Sequence, residues 1–111
     1  MDKLEKYRKI IEKILREHAV QPYAYDEIER RMMFDREKDS YMLYIVGWGN
    51  RRRYHGIVIH LDIINDKIYI QHDGTEEGIA TDLECEGVPK SDIVLAFHAP
   101  ELRKYTEYAV A

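Results

Sequence analysis

Asn65-Asp66 stands between two runs, residues 54–64 and 67–73, in which apolar side chains recur at every second position. That pattern admits one local solution, a β-hairpin closed by a two-residue turn, and the turn dictates the register. With Ile64 opposite Lys67, Ile63 faces Ile68, Leu61 faces Ile70 and Ile59 faces His72. Val58, His60, Asp62, Tyr69, Gln71 and Asp73 then share the other face. The second strand breaks at Asp73-Gly74 into a helical pattern carried by Ile79, Ala80 and Leu83. Thr75 reads as the N-cap, with Glu76 and Glu77 complementing the dipole, so the helix is expected over residues 75–86. Gly87 is placed to close it in a left-handed turn before Val88 and Pro89.

The flanking segments supply the layers around this hairpin. Residues 2–19 read as an amphipathic helix, with Asp2 as N-cap and Glu5 completing a capping box. Leu4, Tyr7, Ile11, Ile14, Leu15 and His18 line one side, and Pro22 ends the helix. Glu5 with Lys9 and Glu12 with Arg16 have the spacing of i,i+4 ion pairs, each worth ~0.2–0.5 kcal/mol. Residues 25–34 alternate weakly and end in the charged turn 35–39, which suits an edge strand. Residues 41–48 are apolar on both faces, so both faces need cover; helices can supply one, and a second copy of the chain the other. Gly49-Asn50 reads as the next turn. Ile93 to Phe97 forms a short strand, Pro100 opens a last helical turn containing Leu102 and Arg103, and the apolar tail 105–111 docks on the body or on a partner. The expected fold class is α+β: an antiparallel sheet of about four to five strands with an N-terminal and a C-terminal helix packed on it.

At 111 residues the chain makes one domain that buries roughly two-thirds of its unfolded surface. One cysteine, Cys85, excludes an internal disulfide, and no apolar run approaches the ~20 residues of a membrane span. A cytoplasmic protein is expected. The net charge of −4, from 17 Lys+Arg against 21 Asp+Glu, repels a phosphate backbone. Nine tyrosines fit either sheet packing or a protein interface.

The candidate functional residues follow from these faces. Arg51, Arg52 and Arg53 form the one basic cluster, read as a solvated hairpin tip or as a contact for an acidic partner or phosphate. Trp48, Tyr105 and Tyr108 join them as candidate partner-binding residues, because apolar surface on the sheet and tail exceeds what so short a chain can cover. His60, Asp62 and Asp73, with Glu76 nearby, make a polar face that resembles an acid–base or metal cluster. The register sends His72 to the opposite face, so a cross-strand hydrogen-bonded group without intrinsic metal is expected. No P-loop, GxGxxG, GxSxG or HExxH pattern occurs, and no catalytic residue is assigned.

DGTEEGIA at residues 73–80, GVPKSDIVL at 87–95 and RKYTEYAVA at 103–111 resemble the XisI family, the fdxN element excision controlling factor proteins of cyanobacteria. DKLEKYRKII, FDREKDSY, the VGW at residues 46–48, RRYHG at 52–56 and HLDII at 60–64 extend the resemblance over essentially the entire chain. The departure is Gly49-Asn50, where an Asp-Gly type of turn is expected. The resemblance implies a non-enzymatic controlling role, without cofactor, in excising a DNA element from a nitrogen-fixation operon during heterocyst differentiation. It implies action beside a recombinase and a nuclease-like companion, XisH, with DNA engaged indirectly. The alternative is a DNA-contacting or nuclease-associated subunit that uses Arg51 to Arg53.

Overall fold

The computed structural model describes residues 2–20 and 27–111. In chain order these form α1 (Lys3–Ala19), β1 (Ile28–Asp35), β2 (Ser40–Gly49), β3 (Arg52–Ile64), β4 (Lys67–Asp73), α2 (Ile79–Cys85) and β5 (Ile93–Leu95). Short 3-10 turns occupy Lys90–Asp92 and Pro100–Tyr105, the latter opened by Pro100 as expected. The five strands lie in sequence order in one sheet. β1 to β4 pair antiparallel, but β5 runs parallel to β4, which corrects the purely antiparallel reading. The physical cause is α2: a helix between two neighbouring strands carries the chain back to where the first began. Pro22 and the expected strand start at Tyr25 fall outside the described residues.

Local chemistry explains most boundaries. Asp2 accepts the Glu5 backbone N–H at 2.8 Å and caps α1. Asn65 and Asp66 both adopt left-handed φ, so the hairpin turn is the one expected. The β2–β3 turn is Asn50-Arg51, again left-handed at both positions, one residue later than the sequence reading. Gly49 therefore ends β2, and Arg52 and Arg53 belong to β3. α2 closes in a Schellman motif, with Val88 N–H donating to Leu83 O at 3.0 Å and Gly87 N–H to Glu84 O at 3.0 Å.

α1 and α2 cover one face of the sheet. Ile11, Leu15, Tyr41, Leu43, Ile59, Leu61, Ile68, Ile70, Ile79 and Leu83 are fully buried there. Polar contacts clamp α1 to the β1–β2 turn. The Arg8 guanidinium donates twice to the Asp39 carboxylate, at 2.7 and 3.1 Å, and Tyr41 O–H adds a third bond at 3.0 Å. Glu5 and Glu12 do not make the expected ion pairs along the helix; both accept from Arg36. Glu12 is buried, and a nearly buried carboxylate is better served by a two-pronged guanidinium than by a flexible neighbour on the same helix.

The bonds from Arg8 hold the Asp39 carboxyl below its ordinary range. At Asp92 burial works in the opposite direction, but Tyr7 O–H and the Lys3 ammonium outweigh it and the carboxyl again titrates low. A carboxyl whose folded pKa is depressed contributes stability above its unfolded pKa, ~4, and loses it as the pH falls through the folded value. Asp39→Asn, which keeps the shape and tolerates the left-handed φ of this residue, is therefore expected to cost about 2 kcal/mol at neutral pH. Urea titrations of both proteins should show that difference shrinking below pH ~4. An equal difference at pH 7 and pH 3 would assign the effect to packing instead.

Candidate functional site

Among the described residues, α1 and α2 both pack on the first face of the sheet and neither covers the second. Its residues come from alternate positions on each strand: Met33 on β1, Met42, Tyr44, Val46 and Trp48 on β2, and Arg53, His55 and Ile57 on β3. A bulge in the β2–β3 ladder between Leu43 and Tyr44 leaves Val58 without an opposite number on β2. It brings Ile57 and His55 beside Tyr44 and Val46. The result is a shallow groove of about 330 Å³ lined by Met33, Met42, Tyr44, His55, Gly56 and Ile57. Met33 is 52% exposed, Ile57 46% and Trp48 52%, so large apolar side chains stand in water on this face. The Arg53 guanidinium lies 5.6 Å from the Trp48 ring centroid, and Arg52 lies 5.6 Å from that of Tyr54. Stacked guanidiniums hold the rings in place and add positive charge to an apolar rim.

Of the expected partner-binding residues, Trp48 and Arg53 thus meet at the groove's end, with Arg51 and Arg52 at the adjoining hairpin tip. Tyr105 and Tyr108 do not join them. Ala109 N–H donates to Ile93 O at 2.8 Å, so the tail docks on the outer edge of β5, three strands from β2. Tyr108 is half-buried and its O–H donates to Glu84 at 2.9 Å, which burial and that carboxylate together accompany with a raised phenol pKa. Tyr105 remains 76% exposed.

The polar cluster read from the hairpin register is rearranged by a second bulge, between His60 and Leu61 on the β3–β4 ladder. Beyond Leu61↔Ile70 the pairing steps by one residue on β4, so His60 pairs with His72, and Ile59 pairs with Asp73 instead of His72. The two histidines are therefore cross-strand neighbours, and the expected separation to opposite faces is overturned. His60 Nε2 lies 3.0 Å from Asp62 Oδ1 and 3.3 Å from Ser40 Oγ, while Gln71 donates to Asp62 at 3.3 Å. Asp73 is turned toward α2, where its carboxylate accepts Thr75 N–H at 2.9 Å, Thr75 O–H, and Ile79 N–H at 2.8 Å. α2 accordingly starts at Ile79 with Gly78 as N-cap, four residues after the expected start, and Thr75 accepts Gly78 N–H at 3.1 Å. Among the described residues no three His, Cys, Asp or Glu side chains gather in metal-holding geometry.

Glu76 lies on the other side of the molecule, in a pocket of about 430 Å³ between the end of α1 and the start of α2. His18, Arg30, Thr75, Glu77 and Asp82 line it too. His18 Nε2 sits 3.0 Å from Asp82 Oδ2 and Arg30 donates to His18 O at 3.2 Å. These contacts tie three elements together. Among the described lining residues the hydroxyl is that of Thr75, and it is committed to Asp73. His18 reads in sequence as a helix-end residue; its partner Asp82 lies 64 positions away, and no local pattern announces it.

The architecture defines a small α+β domain with one helix-covered sheet face and one open apolar face. No helix among the described residues is long and apolar enough to cross a membrane. The chain belongs to the XisI family: the family model described as XisI protein matches residues 1–110. Its fold is similar to that of an XisI-like protein from Anabaena variabilis, at 37% identity and a TM-score of 0.91, covering 97% of this chain and 99% of that one. It is also similar to the fdxN element excision controlling factor XisI of Anabaena variabilis, at 34% identity and a TM-score of 0.84 over 99% and 100% of the two chains. A comparison with curated proteins gave no match.

Proposed function

We propose that this protein is a non-enzymatic controlling factor for site-specific excision of a DNA element of the fdxN type. It acts by docking a nuclease-like companion of the XisH kind, or the recombinase, on the open face of its sheet. The observation that carries the reading is that face: an apolar groove ending in Trp48, with arginine stacked on the ring. Exposed apolar patches bordered by charge mark interaction sites, and Trp and Arg supply most binding hot spots. The relative named as an excision controlling factor supports the process, and the net charge of −4 favours a protein partner over bare DNA.

Co-purification with the companion, followed by DNA cleavage with and without this chain, tests the reading. Trp48→Ala is expected to weaken docking by ~30-fold or more, a hot-spot loss. Tyr105→Ala, on the far edge, is expected to leave it unchanged. Unaltered affinity after both Trp48→Ala and Ile57→Asp would sink the assignment. The stacking of Arg52 and Arg53 on aromatic rings favours one other reading, direct phosphate contact by Arg51 to Arg53 at the hairpin tip. A steep fall of duplex affinity with salt, abolished by replacing the three arginines, would select it.

A further inference from the structure

The two edges of the sheet are treated differently. β5 is covered by the tail through Ala109, whereas among the described residues no strand pairs with the outer edge of β1. β1 is eight residues long, carries neither proline nor glycine, and runs without a bulge from Ile28 to Asp35. Shortness, proline and bulges are devices that protect an edge, and β1 has none of them; what it does carry is charge, at Glu29, Arg30, Arg31 and Asp35. Met32 on the helix-covered face is 41% exposed and Met33 on the open face 52%, so this edge strand is apolar on both sides in its middle. We propose that two copies of the chain pair antiparallel through β1 about a two-fold axis at Met33, making one continuous ten-stranded sheet of two five-stranded halves.

The backbone and the charges select that register. Trp48 N–H donates to Glu27 O, so alternation turns the odd residues of β1 toward β2 and the amides and carbonyls of Met32 and Phe34 toward the free edge. A two-fold axis through the sheet keeps each face on its own side, which restricts pairing to residues of the same face. An axis at Arg30 or Arg31 sets that arginine against its own copy, and an axis at Met32 sets Glu29 against Asp35; like charges directly opposite are destabilising. An axis at Met33 sets Arg31 against Asp35 twice, Met32 against Phe34 twice, and Met33 against itself. The same axis also brings Arg30 level with Arg36, a like-charge pair softened because Arg36, past the end of β1, is already paired with Glu5 and Glu12. The pairing leaves the open face uncovered and sets the two grooves side by side, so it does not rest on the docking reading above.

Light scattering and sedimentation at tens of micromolar are expected to give twice the chain mass of 13.2 kDa. Met32→Pro removes only an outward N–H, a change an edge strand tolerates, and is expected to yield a monomer with an unchanged circular dichroism spectrum. Arg31→Asp, which faces Asp35 with a second carboxylate, provides an independent check and is expected to raise the dissociation constant at least ~10-fold. In a Cys85→Ser background, Met33→Cys is expected to form a disulfide-linked dimer on mild oxidation, because a non-hydrogen-bonded pair places its Cα atoms ~4.5 Å apart. Glu29→Cys is expected to stay uncrosslinked. A monomeric wild type, a dimer that survives both Met32→Pro and Arg31→Asp, or crosslinking of Glu29→Cys in place of Met33→Cys would each overturn the proposal.

Discussion

Asp73→Ala is expected to lower the unfolding free energy by about 3–4 kcal/mol, which for a domain of this size removes a large part of its stability. The half-buried carboxylate accepts two backbone N–H groups, from Thr75 and Ile79, together with the Thr75 hydroxyl. Alanine strands all three donors where the chain passes from β4 into α2, and bonds to a charged acceptor are the costly ones to leave unmade. Loss of the Ile79 bond also uncaps a helix of only seven residues, whose Ile79 and Leu83 are fully buried in the core. Asp73→Asn retains one acceptor oxygen and should fall between the two. Urea unfolding gives the magnitude, and amide exchange at Ile79 and Ala80 localises it. A cost below ~0.5 kcal/mol, with exchange unchanged, would mean that the carboxylate does not hold this junction.

Asp73 also shows how far the sequence carries a reading of this fold. The hairpin turn at Asn65-Asp66, the Asp2 cap and the Schellman closure at Gly87 are each set by residues within a few positions of one another, and all three are found as expected. The two bulges are not local in this sense. The unpaired residues are Val58 and Gln71, neither of them a glycine, and what places them is the fit of three strands under two helices. One extra residue on β4 is enough to turn Asp73 from the polar face to α2 and to set His72 opposite His60. Thr75 carries a good N-cap signal, yet the Asp73 carboxylate takes its hydroxyl and its amide, so the helix waits until Ile79. The apolar character of β2 on both faces was legible and leads directly to Met42, Tyr44 and Trp48 on the open face. The contributions of Met33, His55 and Ile57 to the groove depend on pairings across three strands, and so does the meeting of Trp48 with Arg53.

Gly47→Ala should cost roughly 3 kcal/mol or more and should weaken docking on the open face at the same time. The backbone at Gly47 has φ of +149°, and a Cβ there would lie 2.0 Å from Glu27 O and 2.8 Å from Ile28 Cα. Those neighbours are backbone atoms at the start of β1 and cannot step aside as a side chain can. The strand would have to move away from β2, breaking the bond from Trp48 N–H to Glu27 O and releasing the segment that presents the indole beside Arg53. Gly56→Ala is the matched control: it lines the same groove, but its Cβ would meet nothing within 4 Å, so it should be neutral or slightly stabilising through the unfolded state. Urea unfolding of the two variants and their affinity for the companion protein measure both effects. Loss of stability in Gly47→Ala with docking intact would show that Trp48 reaches its partner without the β1–β2 pairing behind it. Equal stability of the two variants would mean that β1 yields to the added methyl, and that the close approach at Gly47 is not what holds the first strand in the sheet.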